Sequence, residues 1–193
     1  LDEEVQRLLA RHKISSFIFY MPIIESAMGV ERAFEIAMAS KNTVAMAIGL
    51  EDYTADIGVK RTNTAEESLY ARTRLVNAAK AAGIQPIDSV FSDVGDMDAL
   101  LENVKKSKQL GFEGMGCIHP RQIAVIHQGF TPEEKDLEKS MKIVDAAIKA
   151  EAQGLGVVSL GTKMIDPPVV KRHKKQIDRA IRMGIIAENW YEA

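Results

Sequence analysis

The chain has 193 residues, 46% hydrophobic and 27% charged, with a formal net charge of -2, a profile that excludes disorder and provides enough apolar mass for a buried core. The near-neutral balance argues against nucleic acid or an anionic membrane surface as partner, since both select a strongly basic face, and leaves a small polar metabolite as the better fit. The lone Cys117 excludes an internal disulfide, and no apolar run approaches the roughly 20 residues that span a bilayer, so the expected compartment is the cytoplasm.

The chain opens on Leu1 rather than Met. LDEEVQRLLARHK (1–13) is an amphipathic charged segment and not a signal peptide, so the sequence is expected to begin in mid-protein. Short β-prone runs then alternate with helical patterns. SSFIFYMPII (15–24) precedes a helix from about Ala27, and NTVAMAIG (42–49) precedes a polar loop and a helix from about Thr64. GIQPIDSVF (83–91) precedes a helix through MDALLENVKKSKQL, and GFEGMGCIHP (111–120) a short helix at RQIAVIH. Strand then helix, four times over, predicts an α/β fold with a parallel sheet.

Two further helices follow. TPEEKD (131–136) offers Thr131 as N-cap and Pro132 at the first helical position. Leu137, Met141, Val144 and Ile148 then repeat at helical spacing, as do Val170, Ile177 and Ile181 near the C-terminus. AQGLGVVSLGTKMIDPP, between them, reads as an ordered crossing segment. The expected organisation is one domain, residues 1–130 with a helical extension over 131–193.

In parallel α/β folds the functional groups collect where strands end and βα loops begin. The predicted strand ends carry Glu25, then Glu51 and Asp52, then Asp88 and Asp93, then His119, an acidic rim that calls for a cation. Two carboxylates from adjacent strand ends, with no Cys or His cluster, suit a hard ion such as Mg²⁺ better than zinc. Taken singly, Glu25 is explained as well by a helix dipole, and Asp52 by a turn cap.

Other features carry less. GVVSLGTK (156–163) misses the phosphate-loop pattern, because its order is Gly-Thr-Lys and it follows a helix. Cys117 reads as a small buried side chain inside the fourth strand, and His12, His127 and His173 as surface residues. His119 reads more simply as a backbone-satisfied strand-end residue than as an acid or base. Asp166, directly before two prolines, stands on a stiff backbone, either capping the next helix or serving chemistry; the two are compatible.

MPIIESAMG (21–29), IGLEDYTADIG (48–58), AAKAAGIQPIDSVFSD (78–93), LGFEGMGCIHPRQI (110–123) and GVVSLGTKMIDPPVV (156–170) occur in one order along nearly the whole chain. Together they resemble the citrate lyase β-subunit family and its malyl-CoA and citramalyl-CoA lyase relatives, within the HpcH/HpaI aldolase superfamily. The resemblance implies a (β/α)8 barrel, of which this chain supplies strands five to eight and the C-terminal helices. The first four strands, with an arginine on the thioester side, would lie outside this sequence.

By that resemblance Glu25 and Asp52 match Mg²⁺ ligands, and Asp166 matches the catalytic acid or base, lent in several members by a neighbouring subunit. The backbone of Gly49, Leu50 and Glu51 matches the oxo-acid carboxylate site, and His119 with Pro120 the acyl-thioester wall. Met115 departs from the family pattern, which often has lysine there. The implied reaction is cleavage of a citryl thioester, carried on CoA or an acyl-carrier protein, to oxaloacetate and an acetyl thioester. Implied partners are citrate lyase α- and γ-subunits and further copies in a trimer or hexamer. The alternatives are malyl-CoA or citramalyl-CoA cleavage, or a non-catalytic relative. KMID (163–166) speaks against the pyruvate aldolases that also use a Glu and Asp pair.

Overall fold

The computed structural model describes residues 1–154, 158–160 and 163–191. They fall into two units, Leu1–Phe130 and Thr131–Ala193.

After helix α1 (Asp2–Arg11), the first unit alternates strands with helices. Strand β1 (Ile23–Ile24) leads to α2 (Ala27–Glu31) and α3 (Ala33–Met38), and β2 (Ala45–Ile48) to α4 (Leu50–Asp56) and α5 (Leu69–Ala82). Strand β3 (Gln85–Asp88) leads to α6 (Met97–Leu110), and β4 (Gly114–Met115) to α7 (Gln122–Phe130). The sheet order is β1-β2-β3-β4, every pair parallel, with Ile24 opposite Ile48, Ala47 opposite Ile87 and Asp88 opposite Met115. The α/β reading with a parallel sheet is therefore correct.

All four residues of β2 are buried, as a central parallel strand requires, and Met46 packs in one core with Val30, Leu75, Leu100, Val104 and Phe112. Helix α6 is well delimited: Asp96 accepts the Ala99 N–H at 2.9 Å, and Gly111 ends it at φ +102°, a left-handed conformation that favours glycine.

Several boundaries differ from expectation. Only Ile23–Ile24 of the 15–24 run forms ladder, with an isolated bridge between Tyr20 and Thr43; residues 15–19 run past the start of β2 and have no strand beside them. The third and fourth strands likewise shorten to Gln85–Asp88 and Gly114–Met115. The segment read as a polar loop after residue 49 is helix α4, whose Leu50, Tyr53 and Thr54 share a buried face at spacings of three and four. Helix α5 begins at Leu69 and not near Thr64, because Glu67 accepts both the Thr62 N–H and hydroxyl and ties the intervening residues into a turn.

The second unit contains α8 (Glu134–Ala152), an antiparallel pair β5 (Val158–Leu160) and β6 (Lys163–Ile165), and α9 (Pro167–Arg182). Leu155, Gly156 and Val157, with Gly161 and Thr162, lie outside the described residues, so the predicted crossing segment and the GVVSLGTK reading are covered only in part. Helix α8 starts three residues after Thr131, with Glu133 as N-cap. Leu137, Val144, Ile177 and Ala180 form the core of this unit, with Met141, Ile181, Ile186 and Trp190 around it. Ile148, expected in the same stripe, is exposed. His173, expected at the surface, is buried: its Nδ1 lies 2.8 Å from the hydroxyl of fully buried Ser140.

Candidate active site at the strand ends

Glu25 follows β1 directly, and the backbone on both sides of it is held. The Gly49 N–H donates to the Ile24 carbonyl at 2.9 Å, which sets Glu25 across from Gly49. On the other side Ser26 caps α2 by accepting the Gly29 N–H at 3.1 Å, and the Ala27 N–H donates to the Asp56 carboxylate at 2.7 Å. The Glu25 side chain then lies over Gly49 so closely that a Cβ there would stand 2.6 Å from its Cγ and 2.9 Å from its Cδ. Only glycine leaves room for it.

Helix α4 starts at the same turn. The Leu50 N–H donates to the Ser89 hydroxyl at 3.2 Å, linking the end of β2 to the end of β3. Asp52 is in the first turn and exposed. The Glu51 carboxylate turns to Arg61, 2.7 Å away, whose guanidinium also donates to the Val90 carbonyl at 2.6 Å.

The expected acidic rim is thus only partly real. Asp88 is buried; it accepts from Arg72 and from the Ser107 hydroxyl, and at 2.9 Å from the Ser89 N–H. The Arg72 guanidinium in turn sits 5.7 Å from the Phe112 ring centre. Asp93 accepts the Gly95 and Asp96 N–H groups at 2.8 and 3.3 Å, an ordinary turn. Glu25 and Asp52, by contrast, have no hydrogen-bond or ion-pair partner among the described residues. No group of three or more His, Cys, Asp and Glu placed to hold a metal exists among the described residues.

At the far edge of the sheet, His119 is partly buried and Pro120 exposed. The His119 Nδ1 accepts the Arg121 N–H at 3.2 Å, which puts the proton of the neutral ring on Nε2. Gln122 anchors this turn from a fully buried position: its Oε1 accepts the Ile118 N–H at 3.0 Å, and its Nε2 donates to the Phe91 carbonyl at 2.9 Å. Sequence reasoning missed Gln122, since a glutamine opening a helix has no local mark of burial. Cys117 lies beyond β4 and is exposed, not buried within the strand, because the ladder stops at Met115. Met115 packs partly buried against the core.

Asp166 belongs to the second unit. It is the N-cap of α9, accepting the Val169 N–H at 3.3 Å, with prolines at the first two helical positions. One carboxylate oxygen is used in the cap, and the other has no hydrogen-bond partner among the described residues.

A parallel α/β sheet with two free carboxylates at adjacent strand ends is an arrangement suited to a divalent cation and an oxygen-rich substrate. The family model for HpcH/HpaI aldolase/citrate lyase matches residues 10–120, and the chain belongs to that family. It is 44% identical over 165 residues to the citrate lyase subunit beta of Haemophilus influenzae, covering 86% of this chain and 56% of that protein. Among solved structures it resembles Mycobacterium tuberculosis CitE in complex with magnesium, acetoacetate and coenzyme A, with a TM-score of 0.71 and 28% identity, over 87% of this chain and 62% of that one. It also resembles the M. tuberculosis citrate lyase beta subunit complexed with oxaloacetate and magnesium, with a TM-score of 0.52 and 31% identity, over 59% of this chain and 53% of that one. The chain spans about half the length of the curated relatives it matches. No described helix is long and apolar enough to cross a membrane.

Proposed function

We propose that the protein is a Mg²⁺-dependent carbon–carbon lyase that cleaves a citryl thioester to oxaloacetate and an acetyl thioester, as a citrate lyase β-subunit. The observation that carries this reading is the unpartnered pair Glu25 and Asp52 at adjacent strand ends, where Glu51, Asp88 and Asp93 are all engaged. Two carboxylates suit Mg²⁺, which completes its shell with water and substrate oxygens, whereas zinc takes three or four protein ligands. The magnesium, oxaloacetate and coenzyme A held by the related M. tuberculosis structures support the same choice. Held by Glu25 and Asp52, the ion would supply Lewis-acid polarisation of the oxygen that becomes the ketone.

The chain's own residues do the rest. At the Gly49–Glu51 turn the Gly49 and Leu50 N–H groups are taken by Ile24 and Ser89, which leaves the Glu51 N–H of this turn, beside the Asp52 N–H in the same first turn of α4, to receive the oxo-acid carboxylate. His119 and Pro120 line the acyl-thioester side. Cleavage breaks the bond between the hydroxyl-bearing carbon and the acetyl methylene. The hydroxyl gives its proton to solvent and becomes the ketone of oxaloacetate, and the electron pair of the broken bond leaves as the thioester enolate, which takes up a proton at carbon. Asp166, lent by a neighbouring copy in a trimer or hexamer, relays that proton from solvent to the carbon, and an arginine outside this sequence steadies the enolate. The acyl carrier is CoA or the acyl-carrier protein of a citrate lyase complex with α- and γ-subunits.

In this reading the first unit forms strands five to eight of a (β/α)8 barrel. The sequential parallel order supports it, as do Met21 and Ile23, which are 51 and 56% exposed on either side of half-buried Pro22, with Ile24 buried on the opposite face, and would face a barrel interior. The preceding strands would pair with the free edge of β1.

The test uses the full-length protein with citryl-CoA and Mg²⁺, with and without chelator, following oxaloacetate. Chelator-sensitive release that disappears in Glu25→Gln, with the fold retained, supports the assignment; undiminished activity in Glu25→Gln rules the site out. Glyoxylate from malyl-CoA or pyruvate from citramalyl-CoA, without oxaloacetate, would move the substrate to the alternative, and inertness toward all three would favour a non-catalytic relative.

A further inference from the structure

A cavity of about 290 Å³ lies between the loop after α4 and the C-terminal end of β3, with Lys60, Arg61, Asn63, Arg72, Ser92 and Asn103 in its walls. Glu25 and Asp52 do not line it. Two of its three cations are compensated: Arg61 by Glu51 and Arg72 by Asp88. Lys60 has no hydrogen-bond or ion-pair partner among the described residues, so the lining carries one uncompensated positive charge.

Arg72 adds a directed donor. Its side chain is only 4% exposed; Nε and Nη2 hold Asp88 and Ser107, while Nη1 takes part in none of these bonds. A guanidinium carries five N–H donors, and Nη1 is not one of the buried atoms sealed off without a partner, so it opens on the cavity where water or a ligand reaches it. The amides of Asn63 and Asn103 and the Ser92 hydroxyl also have no protein partner among the described residues. The wall itself is stiff. Thr62 is bonded twice to Glu67, Arg61 donates to the Val90 carbonyl, and Ala65 is held at φ +57°, a conformation that a side-chain-bearing residue adopts only under constraint.

We propose that this cavity is a subsite for a small oxyanion, a phosphate or carboxylate group. Lys60 supplies the neutralising charge, and Arg72 Nη1, Asn63 and Asn103 supply the oriented donors. Hydrogen bonds in which one partner is ionised are about twice as strong as neutral ones, which lets so few groups hold an anion. The subsite touches the lyase reading through Leu50 and Glu51, which share its wall, and does not depend on it.

The full-length protein, without citryl substrate, is titrated with inorganic phosphate and separately with malonate, at ionic strength held constant with chloride. Binding is followed by calorimetry and by the side-chain amide resonances of Asn63 and Asn103. Saturable binding with a Kd of about 1 mM is expected, weakened at least about tenfold in Lys60→Glu. Asn103→Leu, which keeps the charge and removes a donor, is expected to weaken binding as well. Lys60 is exposed, so its substitution leaves the core untouched. Preference for phosphate or for malonate identifies the group; equal binding of both supports a general oxyanion subsite. Absence of saturable shifts at Asn63 and Asn103 with either anion, or equal affinity in Lys60→Glu, overturns the proposal.

Discussion

Replacing Gly49 by alanine separates the proposed metal site from the fold. The new Cβ would lie 2.6 Å from the Glu25 Cγ, short of the 3.4 Å of ordinary contact by about 0.8 Å, and closer still to the carboxylate. Glu25 is exposed and swings into solvent, so the clash is relieved at little cost in stability. Gly49 has φ -105° and ψ 100°, open to any residue, and the lost freedom of the unfolded chain offsets about 0.4–1 kcal/mol. The carboxylate, however, leaves its place. Mg²⁺ tolerates little departure from octahedral contacts of about 2.0–2.1 Å, and a misplacement near 1 Å at a reacting centre typically costs about 100-fold. Gly49→Ala is therefore expected to lower kcat/KM for citryl-CoA about 100-fold, or about 2.7 kcal/mol, and to raise the Mg²⁺ requirement, with the thermal midpoint nearly unchanged. The assay is oxaloacetate release across a Mg²⁺ series, beside a melting curve. Wild-type activity at the wild-type Mg²⁺ requirement would refute the reasoning, since Glu25 would then work from a position that the alanine excludes.

Asp88→Asn strands the Arg72 charge in the core while keeping the shape. A buried pair broken from one side costs about 3–5 kcal/mol, read as a lowered denaturant midpoint, and Arg72→Met with Asp88→Asn together should recover part of it. In the second unit, burial first, then the nearby Arg172 and Lys139 charges, hold the His173 pKa below its usual 6.5, against a smaller opposing effect of Asp136. The unfolded chain then binds the proton first. Stability contributed by neutral His173 is complete above about pH 6.5, falls as pH drops through the window down to the folded-state pKa, and levels off below it. Urea midpoints measured across that window should slope for the wild type and flatten in His173→Gln; equal slopes would clear His173 of the effect.

The alternation of elements was legible in the sequence because a buried parallel strand and an amphipathic helix each leave a periodic trace. Met97–Leu110 is helical as expected, and the central strand falls within its predicted run at Ala45–Ile48. Helix α4 was hidden, because a seven-residue helix with two acids and an aspartate at its end looks like a polar loop until Leu50, Tyr53 and Thr54 are found buried together. Strand lengths were overestimated for a related reason: a β-prone run becomes strand only where another strand lies alongside to take its hydrogen bonds.

Composition and order alone determined the class of fold, the strand ends where acids gather, and the proline-stiffened backbone at Asp166. The tertiary structure decided which of those acids remain free. Asp88 is neutralised by Arg72 from α5 and Ser107 from α6, Glu51 by Arg61 from the next loop, and His173 is buried against Ser140 on another helix. A residue's chemistry is written at its own position, but whether its charge is compensated depends on groups that only folding brings within a few ångströms, and Coulomb and desolvation terms act at that range and not along the chain.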